Sequence, residues 1–251
     1  MPTRIFITGA SAGIGEALAR HYARADTLIG MAARRRERLE ELAARLPGRS
    51  ALYPLDVADS GAVLAAARDF VARFGAPDLV VANAGVSLGT LGEADGDLDK
   101  LRTVLAVNVV GLAATLGAFA PAMRAAGRGT LVGISSVAGF RGFPGSGAYS
   151  ASKAAATTWL ESLRAELAGS GVSVVAICPG YVDTDMTRRN RFRMPFLLPA
   201  DEAARRIARA IAARRRLAVI PWQMALVSLG LRAMPGWLFD RLATHAPRKP
   251  R

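Results

Sequence analysis

Seven short apolar runs, separated by stretches with helical spacing, constrain this chain more than any other feature. The runs are Arg4–Thr8, Thr27–Ala32, Ala51–Leu55, Leu79–Ala82, Thr130–Ser135, Val172–Ile177 and Leu217–Ile220. Each is continuously apolar rather than alternating, the pattern of a strand buried on both faces. Between them, Ile14–Arg24, Arg35–Leu46, Ser60–Phe74, Leu98–Ala126, Ala148–Ala168 and Asp201–Ala213 read as helices, with stops at Pro47-Gly48 and at Gly169 and Gly171. Such alternation predicts an α/β fold, a doubly wound parallel sheet of about seven strands with helices on both faces. Two further apolar helical pieces, Trp222–Arg232 and Gly236–Ala243, follow the last strand. No linker or repeat interrupts the 251 residues. They read as a single domain, 1–251, with 221–251 as an apolar helical extension of it.

A sheet of this kind binds ligands beyond the C-terminal ends of its strands. The first strand runs directly into Gly9-Ala10-Ser11-Ala12-Gly13-Ile14-Gly15 and then a helix. Glycines there let the backbone approach a pyrophosphate, and the helix N-terminus offers free N–H groups and a positive dipole end. That makes the expected sheet Rossmann-like, with Gly9, Ser11, Gly13, Ile14 and Gly15 as cofactor contacts. The spacing is Gly-x3-Gly-x-Gly, not the commoner Gly-x-Gly-x2-Gly. The second strand ends in Ala32-Ala33-Arg34-Arg35-Arg36, with no acid to take a ribose 2′-hydroxyl. A carboxylate would repel a 2′-phosphate, whereas a guanidinium can bind it with two hydrogen bonds. NADP(H) is therefore expected in preference to NAD(H), with Arg34 as the contact. Asp56 and Val57 follow the third strand, where an acid could accept from the adenine amine. Asn83, Ala84 and Gly85 follow the fourth, where small residues leave room for a cofactor.

The reacting end is expected at Tyr149 and Lys153. A four-residue step puts both on one helical face. A phenol ionises near pH 10, and an adjacent ammonium favours the phenolate. Tyr149 can then give a proton to a carbonyl oxygen or take one from an alcohol, while a hydroxyl from Ser136, at a strand end, holds the same oxygen. The lysine is informative in itself, because 30 of the 33 basic residues are Arg. A slim ammonium can sit under a tyrosine and reach ribose hydroxyls where a planar guanidinium cannot.

These motifs resemble the short-chain dehydrogenase/reductase family in its single-domain form. The matching segments are TGASAGIG from Thr8, LDVAD from Leu55, NAGV from Asn83, NVVG from Asn108, ISSVAG from Ile134, YSASK from Tyr149 and CPGYVDT from Cys178. The resemblance implies Tyr149 as acid/base, Lys153 as its modulator and ribose ligand, and Ser136 rather than Ser135 as the substrate-orienting serine. It also implies that Asn108 holds a water linking Lys153 to solvent. Pro179, Gly180, Val182 and Thr184 would wrap the nicotinamide.

The remaining composition narrows the choice of partners. With one cysteine and two histidines, a His/Cys metal site is not expected. The net charge of +13 comes without a basic arm or a nucleic-acid motif, so no nucleic acid is expected. The first strand begins at Arg4 and leaves no room for a signal peptide, which reads as a cytoplasmic bacterial enzyme. Met186–Leu198 falls where the family keeps a mobile substrate lid. The apolar tail from Pro221 departs from the family pattern. It reads as a cap on the pocket or a homodimer contact, with peripheral membrane contact as the alternative. The expected activity is NADP(H)-dependent interconversion of an apolar ketone or aldehyde and its alcohol. The alternatives are a non-catalytic NADP-binding regulator, or a lipid-associated reductase of a fatty or sphingoid ketone.

Overall fold

A computed structural model of the chain describes residues 3–190 and 192–244. Its strands are β1 (Arg4–Thr8), β2 (Leu28–Ala33), β3 (Arg49–Pro54), β4 (Leu79–Ala82), β5 (Gly129–Ile134), β6 (Val172–Pro179), the two-residue β7 (Val182–Asp183) and β8 (Leu198–Pro199), and β9 (Leu217–Ile220). Seven of them form one sheet in the order β3-β2-β1-β4-β5-β6-β9, with every neighbouring pair parallel. The order reverses between β1 and β4, so a crevice opens at their C-terminal ends. The doubly wound parallel sheet expected from the sequence is the observed fold.

Helices cover both faces because every central strand is apolar on both. On one face α1 (Gly13–Tyr22), α2 (Arg36–Ala43) and α8 (Ala200–Ala212) bury Leu18, Leu39, Ile207 and Ile211 against Ile5, Ile7, Ile29 and Val175. On the other, α3 (Ser60–Phe74), α5 (Gly111–Ala125) and α6 (Gly147–Glu166) bury Phe70, Phe119 and Leu160 against Phe6, Val80 and Leu131. The rings of Phe6 and Phe70 meet edge to face with centroids 5.5 Å apart. Gly30 in β2 makes that cluster possible, since a Cβ there would lie 2.6 Å from the Phe6 ring.

The expected helix Leu98–Ala126 is interrupted. It consists of α4 (Asp97–Leu105), a π turn at Ala106–Val110, and α5. A π turn inserts one residue into the ladder and barely disturbs the apolar spacing, so periodicity alone does not reveal it. The combined run Asp97–Ala125 is long and apolar enough to cross a membrane. Here, however, it supplies Leu112, Leu116, Phe119 and Met123 to the core.

The segment around Met186–Leu198, expected to be a lid, also has structure that the sequence reading lacked. It starts with the short helix α7 (Asp185–Arg188), and its base is closed by parallel pairing of Val182 with Leu198 and of Asp183 with Pro199. Helices α9 (Trp222–Ala233) and α10 (Gly236–Ala243) follow β9 as expected. Residues 245–251 of the predicted extension, and Arg191 in the expected lid, lie outside the described residues.

Candidate active site

The turn after β1 is a built cradle. Gly9 and Gly13 have φ of 67° and 58°, the left-handed region that favours glycine. A Cβ on Gly9 would lie 2.8 Å from the Ala84 backbone, and one on Gly13 would lie 2.9 Å from the Thr184 methyl. Gly15 serves packing instead: its Cβ would lie 2.3 Å from the Gly9 carbonyl. Asn83 ties the turn down, its amide donating to the Thr8 carbonyl at 3.0 Å and the Gly9 carbonyl at 3.3 Å. The Thr8 hydroxyl accepts from the Asn83 and Ala84 N–H groups at 3.1 and 3.2 Å. Ala12, at the start of α1, has no side chain to cap the helix, so its first N–H groups face the cleft without a side-chain acceptor.

That cleft has a volume of about 660 Å³ and runs from Gly9, Arg34 and Asp56 past Gly85 to Ser136, Tyr149, Lys153 and Thr184. This size is ordinary for a small-molecule site. Of the sequence-predicted residues only Gly15 and Asn108 do not line it. A smaller hollow of about 430 Å³ lies among Thr3, Arg4, Asp26, Arg49 and Phe74, at the opposite end of the strands.

Ser136 sits just past β5. Its hydroxyl bonds the Tyr149 hydroxyl, accepts from the Ala138 N–H at 3.1 Å, and reaches the Pro179 carbonyl at 3.5 Å. Ser135 points the other way, as strand alternation requires. Its hydroxyl donates to the Lys153 carbonyl at 2.8 Å and lies 2.7 Å from the Thr157 hydroxyl. The Lys153 ammonium lies 5.7 Å from the centre of the Tyr149 ring and donates to the Ile134 carbonyl at 2.8 Å. Burial pushes the Tyr149 phenol up and opposes the lowering effect of its bond to Ser136. Burial also pulls Lys153 down, to about 8. Both shifts disfavour the charged form, and two hydroxyls side by side can hold one carbonyl oxygen between them.

Asn108 lies in the π turn and is fully buried. Its side chain acts like a strand neighbour to Val86, accepting from the Val86 N–H at 2.8 Å and donating to the Val86 carbonyl at 2.9 Å. The other amide hydrogen goes to the Ser152 hydroxyl at 2.9 Å. Both side-chain donors are thus engaged. A Cβ on Gly85 would lie 3.2 Å from the Asn108 Oδ1 and 3.5 Å from the Lys153 ammonium, so these two groups border one small space.

At the far end of the cleft, Arg34 lies 3.7 Å from the Asp56 carboxylate. Arg35 bridges to the glycine turn, donating to the Ser11 hydroxyl at 3.1 Å and the Ser11 carbonyl at 3.4 Å. Among the described residues no cluster of three or more His, Cys, Asp or Glu could hold a metal.

A family model described as short chain dehydrogenase matches residues 3–194, most of the chain. The chain belongs to that family. An uncharacterised oxidoreductase of Myxococcus xanthus is 40% identical over 240 residues, covering 94% of each chain. A solved short-chain dehydrogenase from Streptomyces avermitilis superposes with a TM-score of 0.84 at 28% identity, covering 97% of this chain and 98% of that one. An alcohol dehydrogenase from Thermococcus sibiricus, solved with 5-hydroxy-NADP, superposes with a TM-score of 0.75 at 28% identity, covering 87% and 95%. The protein is accordingly an NAD(P)-dependent oxidoreductase of CH–OH and carbonyl groups.

Two arginines line the cleft of this short-chain dehydrogenase beside the predicted cofactor contacts. Arg35 was visible as the neighbour of Arg34, but nothing in one dimension says which guanidinium turns toward Ser11. Arg189 lines the cleft from just past α7, beside Thr184 and Thr187. A third feature, Gly139, positions the site. It lies in the turn between Ser136 and Tyr149, and a Cβ there would fall 2.8 Å from the α6 backbone at Lys153 and Ala154. Gly139→Ala should therefore push the Ser136 turn away from α6. Steady-state kinetics should show kcat down by about 10- to 100-fold with little change in cofactor KM, since misplacement by about an ångström is enough to cost that much. An unchanged kcat would mean that the turn yields elsewhere.

Proposed function

We propose that the chain reduces an apolar ketone or aldehyde to its alcohol with NADPH. The observation that carries this reading is the hydrogen-bonded Ser136–Tyr149 hydroxyl pair, with the Lys153 ammonium behind it, in the same cleft as the glycine cradle. When bound, NADPH supplies a hydride to the carbonyl carbon. Ser136 and Tyr149 hold the carbonyl oxygen, and Tyr149 gives up its phenolic proton to the alkoxide as charge develops there. Lys153 stabilises the phenolate left behind. Reprotonation of Tyr149 runs past Lys153 to a water at Asn108. Both Asn108 amide hydrogens already serve Val86 and Ser152, so its part toward that water is as an acceptor through Oδ1, which has accepted one hydrogen bond, from Val86. Val86, Leu88 and Met186 give the cleft apolar wall, which suits an apolar substrate.

The preference for NADPH is supported by Arg34 and Arg35 at the end of β2 and by the bond from Arg35 to Ser11. The NADP derivative bound by the Thermococcus relative is in keeping with it. Charge-assisted hydrogen bonds to a phosphate are worth about 1.5–3 kcal/mol. The ratio of kcat/KM for NADPH over NADH should exceed one in the wild type. It should fall by about 100-fold in the Arg34→Ala/Arg35→Ala variant, through KM. A wild-type ratio at or below one would overturn the cofactor assignment without touching the carbonyl chemistry.

A further inference from the structure

Two of the three tryptophans of this chain stand largely in solvent. Trp222 exposes 65% of its surface and Trp237 exposes 69%. Trp222, Leu226 and Leu229 recur at i, i+4 and i+7, one face of α9, and the two leucines are 61% and 66% exposed. The inner face of the same helix carries the buried Met224 and Ser228. The outer stripe is therefore not core that slipped outward; it is a second apolar face on a helix that has already buried its first. Single exposed apolar residues are normal, whereas three on one face of α9, with a further exposed tryptophan on the helix that follows, mark a contact surface.

Charge separates the candidate occupants. Helix α9 has no acidic residue, and its only charged side chain is Arg232. Helix α10 carries Asp240 and Arg241, and the sequence after Thr244 adds Arg248, Lys249 and Arg251 with no acid. The chain as a whole carries +13. A second copy meeting this face would bring together two chains that each carry +13, which works against self-association. An anionic bilayer matches both properties: tryptophan prefers the headgroup level, and basic residues are drawn to the negative surface. The stripe from Trp222 to Leu229 is only about 10 Å long at 1.5 Å per residue, so the helix would lie along the surface and not cross it.

Helix α9 is also packed on the wall of the cleft, and α10 on the loop between Ser136 and Tyr149. Met224 fills the space beside Gly180, where a Cβ would lie 2.7 Å from the Met224 side chain, and Gly180 lines the cleft. Arg141, between Ser136 and Tyr149 in sequence, donates to the Leu231 carbonyl at 2.7 Å and also to the Met234 carbonyl. The Phe143 ring meets Phe239 of α10 at 6.0 Å. About one helix diameter, roughly 10 Å, separates the outer stripe from the edge of the cleft.

We propose that α9 and α10 form a peripheral docking face for anionic lipid bilayers, which sets the substrate end of the cleft beside the membrane so that an apolar carbonyl compound dissolved there can enter it. Docking stands independently; the entry of substrate rests on the carbonyl-reductase reading.

The full chain is mixed with vesicles of phosphatidylcholine alone, or of phosphatidylcholine with one third phosphatidylglycerol, and sedimented. The expected result is binding to the mixed vesicles that weakens with added salt, a blue shift of tryptophan emission, and little binding to phosphatidylcholine alone. The Trp222→Ser/Leu226→Ser/Leu229→Ser variant, and separately Trp237→Ser, should bind at least tenfold more weakly. Both should keep wild-type turnover of a small water-soluble aldehyde. Wild-type protein that stays in the supernatant with both vesicle types overturns the proposal, as does binding undiminished by the triple substitution. A dimer in light scattering that the triple variant abolishes, with no vesicle binding, assigns the face to a second copy and equally overturns it. Vesicle binding by a wild type that turns over no carbonyl compound leaves the docking face standing and removes the substrate reading.

Discussion

Tyr149→Phe is expected to lower kcat for carbonyl reduction about 1,000-fold while leaving cofactor KM within a few-fold of wild type. A positioned general acid contributes typically 10²–10⁴ to rate. The substitution removes one hydroxyl and leaves the ring, so the packing of Lys153 against that ring at 5.7 Å is retained. What disappears is the proton and one of the two hydroxyls that would hold the substrate oxygen. Burial raises the Tyr149 phenol above its ordinary value. The group therefore stays protonated through neutral pH, which is the form a proton donor needs. The two directions of the reaction should consequently differ. Reduction should be nearly flat up to neutral pH and fall through about 8, where Lys153 has lost half of its protons. Alcohol oxidation, which needs the phenolate as base, should rise with pH over the same range. Rate profiles in both directions, on wild type and Tyr149→Phe, check this. A variant that reduces carbonyls at near wild-type rate would sink the assignment of the acid.

Most of this fold was legible in the sequence because its strands are buried on both faces. Continuous apolar runs such as Ile5–Ile7 in β1 and Leu79–Ala82 in β4 have no polar face to confuse, and the glycine stops at Gly169 and Gly171 lie where the chain turns with positive φ. The strand-end glycine turn and the four-residue step from Tyr149 to Lys153 were legible for a related reason: each is local, and local geometry is what spacing encodes. The features that were missed depend on distant partners. The π turn at Ala106–Val110 answers to Val86 and Ser152, the partners of Asn108, and to Val57, against which Gly111 packs with no room for a Cβ. β6 runs on to Pro179 because β9 continues alongside it, pairing Cys178 with Val219 and Pro179 with Ile220. Asn83, expected to leave room for a cofactor, proves also to be the clasp on the glycine turn. No spacing rule links residue 83 to residue 8.

Lys153→Met should produce the opposite signs in stability and in activity. The ammonium is buried, and among the described residues its hydrogen-bond acceptor is the Ile134 carbonyl, not a carboxylate. Burial lowers its pKa from 10.5 to about 8. Between those two values the unfolded chain binds a proton that the folded chain does not, so stability rises with pH across that window. Below about pH 8 the lysine is charged in both states, and the folded protein carries the full cost of burying it. The shift corresponds to roughly 3 kcal/mol at neutral pH. Methionine has a similar length and no charge, although it leaves the Ile134 carbonyl without its donor, a loss of about 1 kcal/mol. The cofactor-free variant should therefore be about 2 kcal/mol more stable than wild type at pH 7, melting several degrees higher. The difference should shrink as pH rises from 8 toward 10.5. Its kcat should fall at least 100-fold, since nothing then stabilises the Tyr149 phenolate or passes it a proton. Denaturant unfolding at several pH values, together with turnover assays, measures both. A variant less stable than wild type at pH 7 would show that Lys153 is held by favourable contacts, and its place in the site would then need no functional explanation. A stabilised and inactive variant is what a lysine kept for the chemistry against its own solvation cost should give.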